Sequence, residues 1–241
     1  GNFDAANEAI LSLLNPRALA AVDGTVVHYY YNMSRDEGLR FADAEDWHEL
    51  RRIDERYQNF QEHLGRDVEL FVTEWNVVAG NVTQPGAASA SVLMEMFEFM
   101  VRMGVDDAHI WPLQHRTPNN IMGNRNAEGV EYSMSGAAFA MLSESLRPRE
   151  SVTGQVDRFQ SVLSDWRGGD GSVEINHFTS DYQDVLFVSL RSDSPSGVDL
   201  DLASLVGGHS VLARDRLTID PRSSDDLNDW ADVDGGNRVG R

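Results

Sequence analysis

The chain has 241 residues, enough for one large domain or a domain and a half, with the 41% hydrophobic and 9% aromatic content of an ordinary globular protein. Cysteine is absent, which excludes a disulfide framework and a thiolate zinc site. A formal net charge of −19 would repel a phosphate backbone or an anionic bilayer, so neither nucleic acid nor membrane is an expected partner. Carbohydrate, being neutral, is the ligand class least opposed by this charge.

Taken in chain order, Asn2–Leu14 has helical spacing, with Phe3, Ala6, Ile10 and Leu13 or Leu14 on one side. No charged-then-apolar leader opens the chain, and an opening inside an element reads as part of a larger fold. Asn15-Pro16 is a break, and Thr25–Tyr31 is an apolar, β-branched and aromatic strand. Glu45–Leu64 is helical by periodicity and ends at Gly65. Val68–Trp75 is a second strand, Gly80–Pro85 a loop, and Ala88–Met103 a helix stopped by Gly104. Its stripe of Met94, Phe97 and Met100 or Val101 reads as packing against a sheet. Asp107–Leu113 is a third strand, His115–Glu131 a polar loop and Ser133–Leu146 a helix.

Repeated strand–helix units predict a parallel sheet flanked by helices. Three such units are too few to close an eight-stranded barrel, which takes about 250 residues. After Pro148 the texture changes to short strand candidates between Gly, Asp, Ser and Pro turns: Arg158–Ser164, Gly171–Phe178, Tyr182–Arg191, Val198–Leu202, His209–Ala213 and Arg216–Ile219. This predicts an antiparallel sandwich over 151–222 behind an α/β unit over 1–150. A polar tail or linker is expected over 223–241. The Asp-rich pieces Asp165–Asp170 and Asp225–Asp234 keep no calcium-loop spacing, and no cofactor or metal is expected.

The chemistry is expected at the strand ends. In a straight strand Leu70, Val72 and Glu74 share one face, so an apolar strand ends on an inward carboxylate, which is costly to bury unless something uses it. His28 and Tyr30 share a face on the preceding strand, and Trp111 ends the following one. Carboxylate, imidazole, phenol and indole at one sheet edge suit a sugar pocket, where aromatic faces stack on pyranose C–H surfaces and polar groups bind hydroxyls. Rival readings are structural: Glu74 paired with an arginine, His28 and Tyr30 as satisfied core groups, Trp111 as filler.

The run Thr73-Glu74-Trp75-Asn76, after a His28-Tyr29-Tyr30 strand and before an Ile110-Trp111 strand, resembles the last part of a clan A retaining glycoside hydrolase. The nearest families are the β-xylosidases and α-L-arabinofuranosidases. The likeness spans residues 3–220 in architecture but only about ten residues in motif. It implies a partial (β/α)₈ barrel, roughly strands six to eight with their helices, followed by a small antiparallel β-sandwich. It further implies Glu74 as nucleophile, with Tyr30 hydrogen-bonding it and His28 contacting substrate or the acid/base. Trp111, Trp75, Asn76 and Gln114 would contact substrate. The implied activity is double-displacement hydrolysis of a plant or algal polysaccharide or oligosaccharide, outside the cytoplasm of a bacterium, in the periplasm or beyond.

The family's acid/base follows an Asn at the end of strand four, and strands one to five have no counterpart here. Asn7-Glu8 sits in the leading helix instead. Two other readings stay open: a non-catalytic carbohydrate-binding or scaffold protein, and a self-contained α/β domain of unrelated chemistry. For the last there is no Gly-x-Ser-x-Gly elbow, Walker loop, dinucleotide fingerprint or His-Glu-x-x-His helix.

Overall fold

Residues 4–31, 57–77, 87–113, 121–126, 129–147, 149–150, 156–162, 173–190, 199, 201–207, 210–214, 216–219 and 237–240 are described in the structure, a computed structural model. Helix α1 (Asp4–Leu13) leads into α2 (Pro16–Ala20). Asn15-Pro16 is at once the break and a new start. The Asn15 side chain accepts from the Ala18 amide at 2.9 Å, and Pro16 stands at the first turn, where its missing N–H is not needed. Along α1 Leu11 is buried, whereas Ile10 and Leu13 of the apolar side are exposed, Leu13 to 85%. Periodicity reveals an apolar side, not what covers it.

Strands β1 (Gly24–Tyr31), β2 (Glu69–Val77) and β3 (Asp107–Ile110) form a parallel sheet in the order β1-β2-β3. The connections are helical. Residues 57–64 belong to α3, which ends at Gly65 with φ +65°, and α4 (Ala87–Met103) ends at Gly104 with φ +71°. Both glycines take the left-handed conformation that closes a helix without a Cβ clash. Residues 45–56 of the expected α3 and the expected loop Gly80–Pro85 lie outside the described residues. α5 (Met134–Ser145) follows, capped by the Ser133 hydroxyl, which accepts from the Gly136 amide at 3.0 Å.

Helices α3, α4 and α5 pack on one face of the sheet. Val27, Tyr29 and Tyr31 of β1, with Leu70, Val72, Trp75 and Val77 of β2, share a core with Val92, Leu93, Met96, Phe99 and Met100 of α4 and Leu142 of α5. Each such side chain contributes about 1.5–3 kcal/mol on burial. The Met94–Phe97–Met100 stripe packs here as expected.

The buried residues of β2 reveal a change of phase. Leu70 and Val72 are two apart, but the next buried residue, Trp75, is three further on. Both neighbouring strands count the same extra residue: Val27 pairs with Val72 and His28 with Glu74, while Val72 pairs with Ala108 and Trp75 with Ile110. Thr73 is therefore the additional residue of a β-bulge, and Thr73 and Glu74 together fill one step of the ladder. This corrects the expectation that Glu74 shares a face with Leu70 and Val72. The bulge turns its carboxylate away from the helix-covered core, onto the face of Gly24, Val26, His28 and Tyr30. Buried without a partner, that charge would cost several kcal/mol.

Two differences follow β3. The strand ends at Ile110 rather than Leu113, and the expected loop 115–131 contains a hairpin of β4 (Met122–Asn126) and β5 (Gly129–Tyr132). Its first arm, rich in Gly and Asn, carries none of the alternation that announces a strand, and the second is only four residues long. Short β6 (Arg149–Glu150) and β7 (Val156–Asp157) pair next.

Strands β8 (Gln160–Val162), β9 (Val173–Thr179) and β10 (Asp184–Leu190) then form a separate antiparallel sheet in the order β10-β9-β8. It covers α4, not a second sheet. Phe97 and Phe178 lie 5.8 Å apart between ring centroids, and the Ser161 hydroxyl donates to Glu98 Oε1. With a sheet on either side, α4 is buried along most of its length, Glu95 and Glu98 included.

Further on, residues 198 and 200 of the expected strand Val198–Leu202 lie outside the described residues, and its last residue opens a short helix, α6 (Leu202–Val206), which Asp201 caps by accepting from the Ala203 and Ser204 amides. Within the expected strand His209–Ala213, residues 210–213 are not extended into a ladder, and Val211 and Leu212 are exposed. β11 (Arg216–Ile219) pairs antiparallel with β12 (Asn237–Gly240), which lies in the stretch expected to be a tail. Among the described residues no helix is long and apolar enough to cross a membrane.

Candidate functional site

On the sheet face opposite the helices, alternation along β1 sets Val26, His28 and Tyr30 outward, with Val26 46% exposed. Phe71 lies over Gly24 on this side, so close that a Cβ at residue 24 would stand 2.6 Å from the ring. Ala108 and Ile110 pack into the core, which leaves Asp107 and His109 of β3 on the outer face.

Glu74 sits at the centre of this surface. The Tyr30 hydroxyl donates to its Oε2 at 3.0 Å, and His28 Nδ1 lies 3.5 Å from the same oxygen. The first is a hydrogen bond of ordinary length; the second is an electrostatic contact at the outer limit for one. Oε1 takes no hydrogen bond from a described residue, so one oxygen is anchored and the other is available. The carboxylate's partners are a phenol and an imidazole, not the arginine that a purely structural role suggested. His28 and Glu74 side chains are 40% and 37% exposed, open enough to meet a ligand. The Tyr30 phenol is pushed well above the usual tyrosine range, by partial burial first, then by its bond to Glu74 and by that group's charge. It therefore stays a donor throughout the physiological range.

Trp111 leaves the end of β3 with 43% of its surface exposed, and its peptide bond to Pro112 is cis. Its amide donates to the Trp75 carbonyl at 3.2 Å, and its carbonyl accepts from Asn76 Nδ2 at 2.8 Å. His28, Tyr30 and Glu74 are thus brought to one side of the sheet, and Trp111 stands at the same end.

Two expected substrate contacts are corrected. Trp75 is 1% exposed on the opposite face, its ring 6.4 Å from Phe97 and 6.1 Å from Phe139 between centroids. Asn76 is fully buried and directs its amide at the protein's own backbone. The first follows from the bulge, after which the phase places residue 75 under the helices; Asn76, which pairs with Tyr30, is buried on the other side of the strand. Gln114 lies outside the described residues.

His109, two residues before Trp111, escaped the sequence reading. Its Nε2 lies 3.1 Å from Asp107 Oδ2, both groups are exposed, and period-two spacing to Trp111 was the available signal. A second concentration of ionisable groups, Glu95, Glu98 and Arg102 of α4 with Tyr29 of β1, lies where the helix meets the sheet. There burial, then the nearby Glu95 carboxylate, raises the Tyr29 phenol well above its ordinary range. Glu95, Glu98 and Tyr29 of that cluster are buried. Among the described residues no group of three His, Asp or Glu side chains could hold a metal ion.

The chain matches no protein-family model, and a search of curated proteins finds no relative for it.

Proposed function

We propose that this chain carries the nucleophile-bearing part of a retaining glycoside hydrolase, with β1, β2 and β3 as strands six to eight of a (β/α)₈ barrel. The observation that supports this reading best is the anchoring of Glu74 Oε2 by the Tyr30 phenol, with His28 beside it, on the sheet face that the helices leave open. In a barrel that face lines the interior, and the ends of β1 to β3 line its mouth, where such enzymes place their chemistry.

The mechanism follows from the two unequal oxygens. Oε1 of Glu74 attacks the anomeric carbon as the leaving oxygen takes a proton, giving a covalent glycosyl-enzyme, and water then attacks the same carbon and releases the carboxylate. The Tyr30 hydroxyl, held on Oε2, stabilises the carboxylate as it departs. The proton donor is a second carboxyl group about 5–5.5 Å away, which we place on a barrel strand outside these residues. Trp111 supplies an apolar floor for a sugar ring. The substrate is a plant or algal polysaccharide or oligosaccharide met outside the cytoplasm, and the C-terminal sheet is an accessory layer.

The test uses the complete protein and a 2-deoxy-2-fluoro glycoside that traps the intermediate. A mass increase on the peptide containing Glu74, lost in Glu74→Gln together with turnover, is the expected result. Labelling elsewhere, or hydrolysis retained by Glu74→Gln, removes the assignment. Oligosaccharide binding with neither label nor released reducing ends would favour a carbohydrate-binding or scaffold role.

A further inference from the structure

We infer that Asn76 is a positioning residue: it holds the Trp111 main chain, and with it the indole, in register with Glu74. The inference deepens the glycosidase reading and rests on it only where sugar is concerned.

Regular pairing between β2 and β3 ends with Trp75 opposite Ile110. One main-chain bond follows, from the Trp111 amide to the Trp75 carbonyl at 3.2 Å. The next tie is a side chain. Asn76 Nδ2 donates to the Trp111 carbonyl at 2.8 Å, while Asn76 Oδ1 accepts from the Val77 amide at 2.7 Å. These bonds settle which end of the amide is which. A flipped group would set N–H against N–H and oxygen against oxygen. Asn76 therefore spans the gap between two strand ends at the point where the ladder no longer does.

On its other side the same segment is held by the Ile121 and Met122 amides, which donate to the Pro112 and Leu113 carbonyls at 3.2 and 2.8 Å. The segment carrying Trp111 is thus clamped from both flanks, and Asn76 is the clamp on the strand of Glu74. Being fully buried, it touches no ligand and acts through Trp111. No close substitute serves: Asp lacks the donor, Gln is a methylene too long, and Leu has the shape without the bonds.

The chain labelled with 5-fluorotryptophan tests this by ¹⁹F NMR, its five tryptophans being assigned by single Trp→Phe changes. In Asn76→Leu, which keeps the branched outline of the side chain without its hydrogen bonds, the Trp111 line should broaden or split while the Trp75 line keeps its shift. A merely structural role would move both lines together. Titration with xylotriose should show about a tenfold loss of affinity, equivalent to about 1.4 kcal/mol. An unmoved Trp111 line in folded Asn76→Leu overturns the inference. Absence of xylotriose binding in the unsubstituted chain counts against the glycosidase reading, and the ¹⁹F lines still decide for Asn76. Should Asn76→Leu fail to fold, exchange of the Asn76 side-chain protons in the unsubstituted protein decides. A slowed proton supports the clamp, and exchange of both at the free-amide rate overturns it.

Discussion

Deleting Thr73 separates the bulge from a straight strand more sharply than any substitution. In a bulged β2, Thr73 and Glu74 share one step of the ladder, so removing Thr73 regularises the strand and leaves Trp75 and Val77 under the helices. The cost is then that of local readjustment, about 1–3 kcal/mol. In a straight strand the same deletion would slip every later side chain to the opposite face. Trp75, 1% exposed, would be expelled, and an aromatic that buries about 150–250 Å² at about 25 cal/mol per Å² forfeits about 4–6 kcal/mol. Val77, 2% exposed, would add about 1.5–3 kcal/mol. Such a sum approaches the whole stability of a typical domain, about 5–15 kcal/mol. Urea denaturation followed by tryptophan fluorescence distinguishes the two cases. A cooperative transition with a modestly lowered midpoint and a native emission maximum is expected. A chain already unfolded in buffer, or one with red-shifted native emission, would refute the bulge.

The raised Tyr30 phenol should ionise above the ordinary tyrosine value of about 10. Glu74→Gln should lower its titration point, since the carboxylate contributions vanish and only burial remains, and ultraviolet titration of the unsubstituted and Tyr30→Phe chains isolates it. The sign follows from linkage: a pKa higher in the folded state gives stability that is fully present below the unfolded value and lost as pH rises through the folded one. Alkaline destabilisation should therefore be smaller in Tyr30→Phe, and an equal pH dependence would contradict this. Gly24→Ala sets a methyl 2.6 Å from the Phe71 ring and should cost about 1–3 kcal/mol in urea; an unchanged midpoint would mean the ring does not lie there. Phe178→Ala empties a fully buried site beside Phe97 and should cost about 3–5 kcal/mol. Because α4 is shared by both sheets, its melt should remain a single transition in calorimetry, and two separated peaks would show that the sheets unfold independently.

Much of the architecture was legible in local chemistry. The alternation of Thr25–Tyr31, the helical spacing of Ala88–Met103, and the stops at Gly65 and Gly104 are written in side-chain period and backbone freedom, which depend on near neighbours. That His28 and Tyr30 face the same way follows from parity within an unbroken strand. The capping of α6 by Asp201 was also local, but the β-branched and apolar residues around it argued for a strand and masked it.

What sequence alone left open was every question about the far side of an interface. Parity relates Glu74 to Val72 only if no residue is bulged out, and the Thr73 bulge appears only when β2 is counted against both β1 and β3. The fate of Trp75 depended on which face the helices cover, and that of Asn76 on a carbonyl at the neighbouring strand end, so two residues beside a candidate nucleophile are both buried. The strand β12 exists because β11 is its partner, across residues 220–236. Short-range patterns determine which elements can form; the pairing of distant strands and the covering of one sheet face decide where each side chain points, because those energies arise only between segments far apart in the chain.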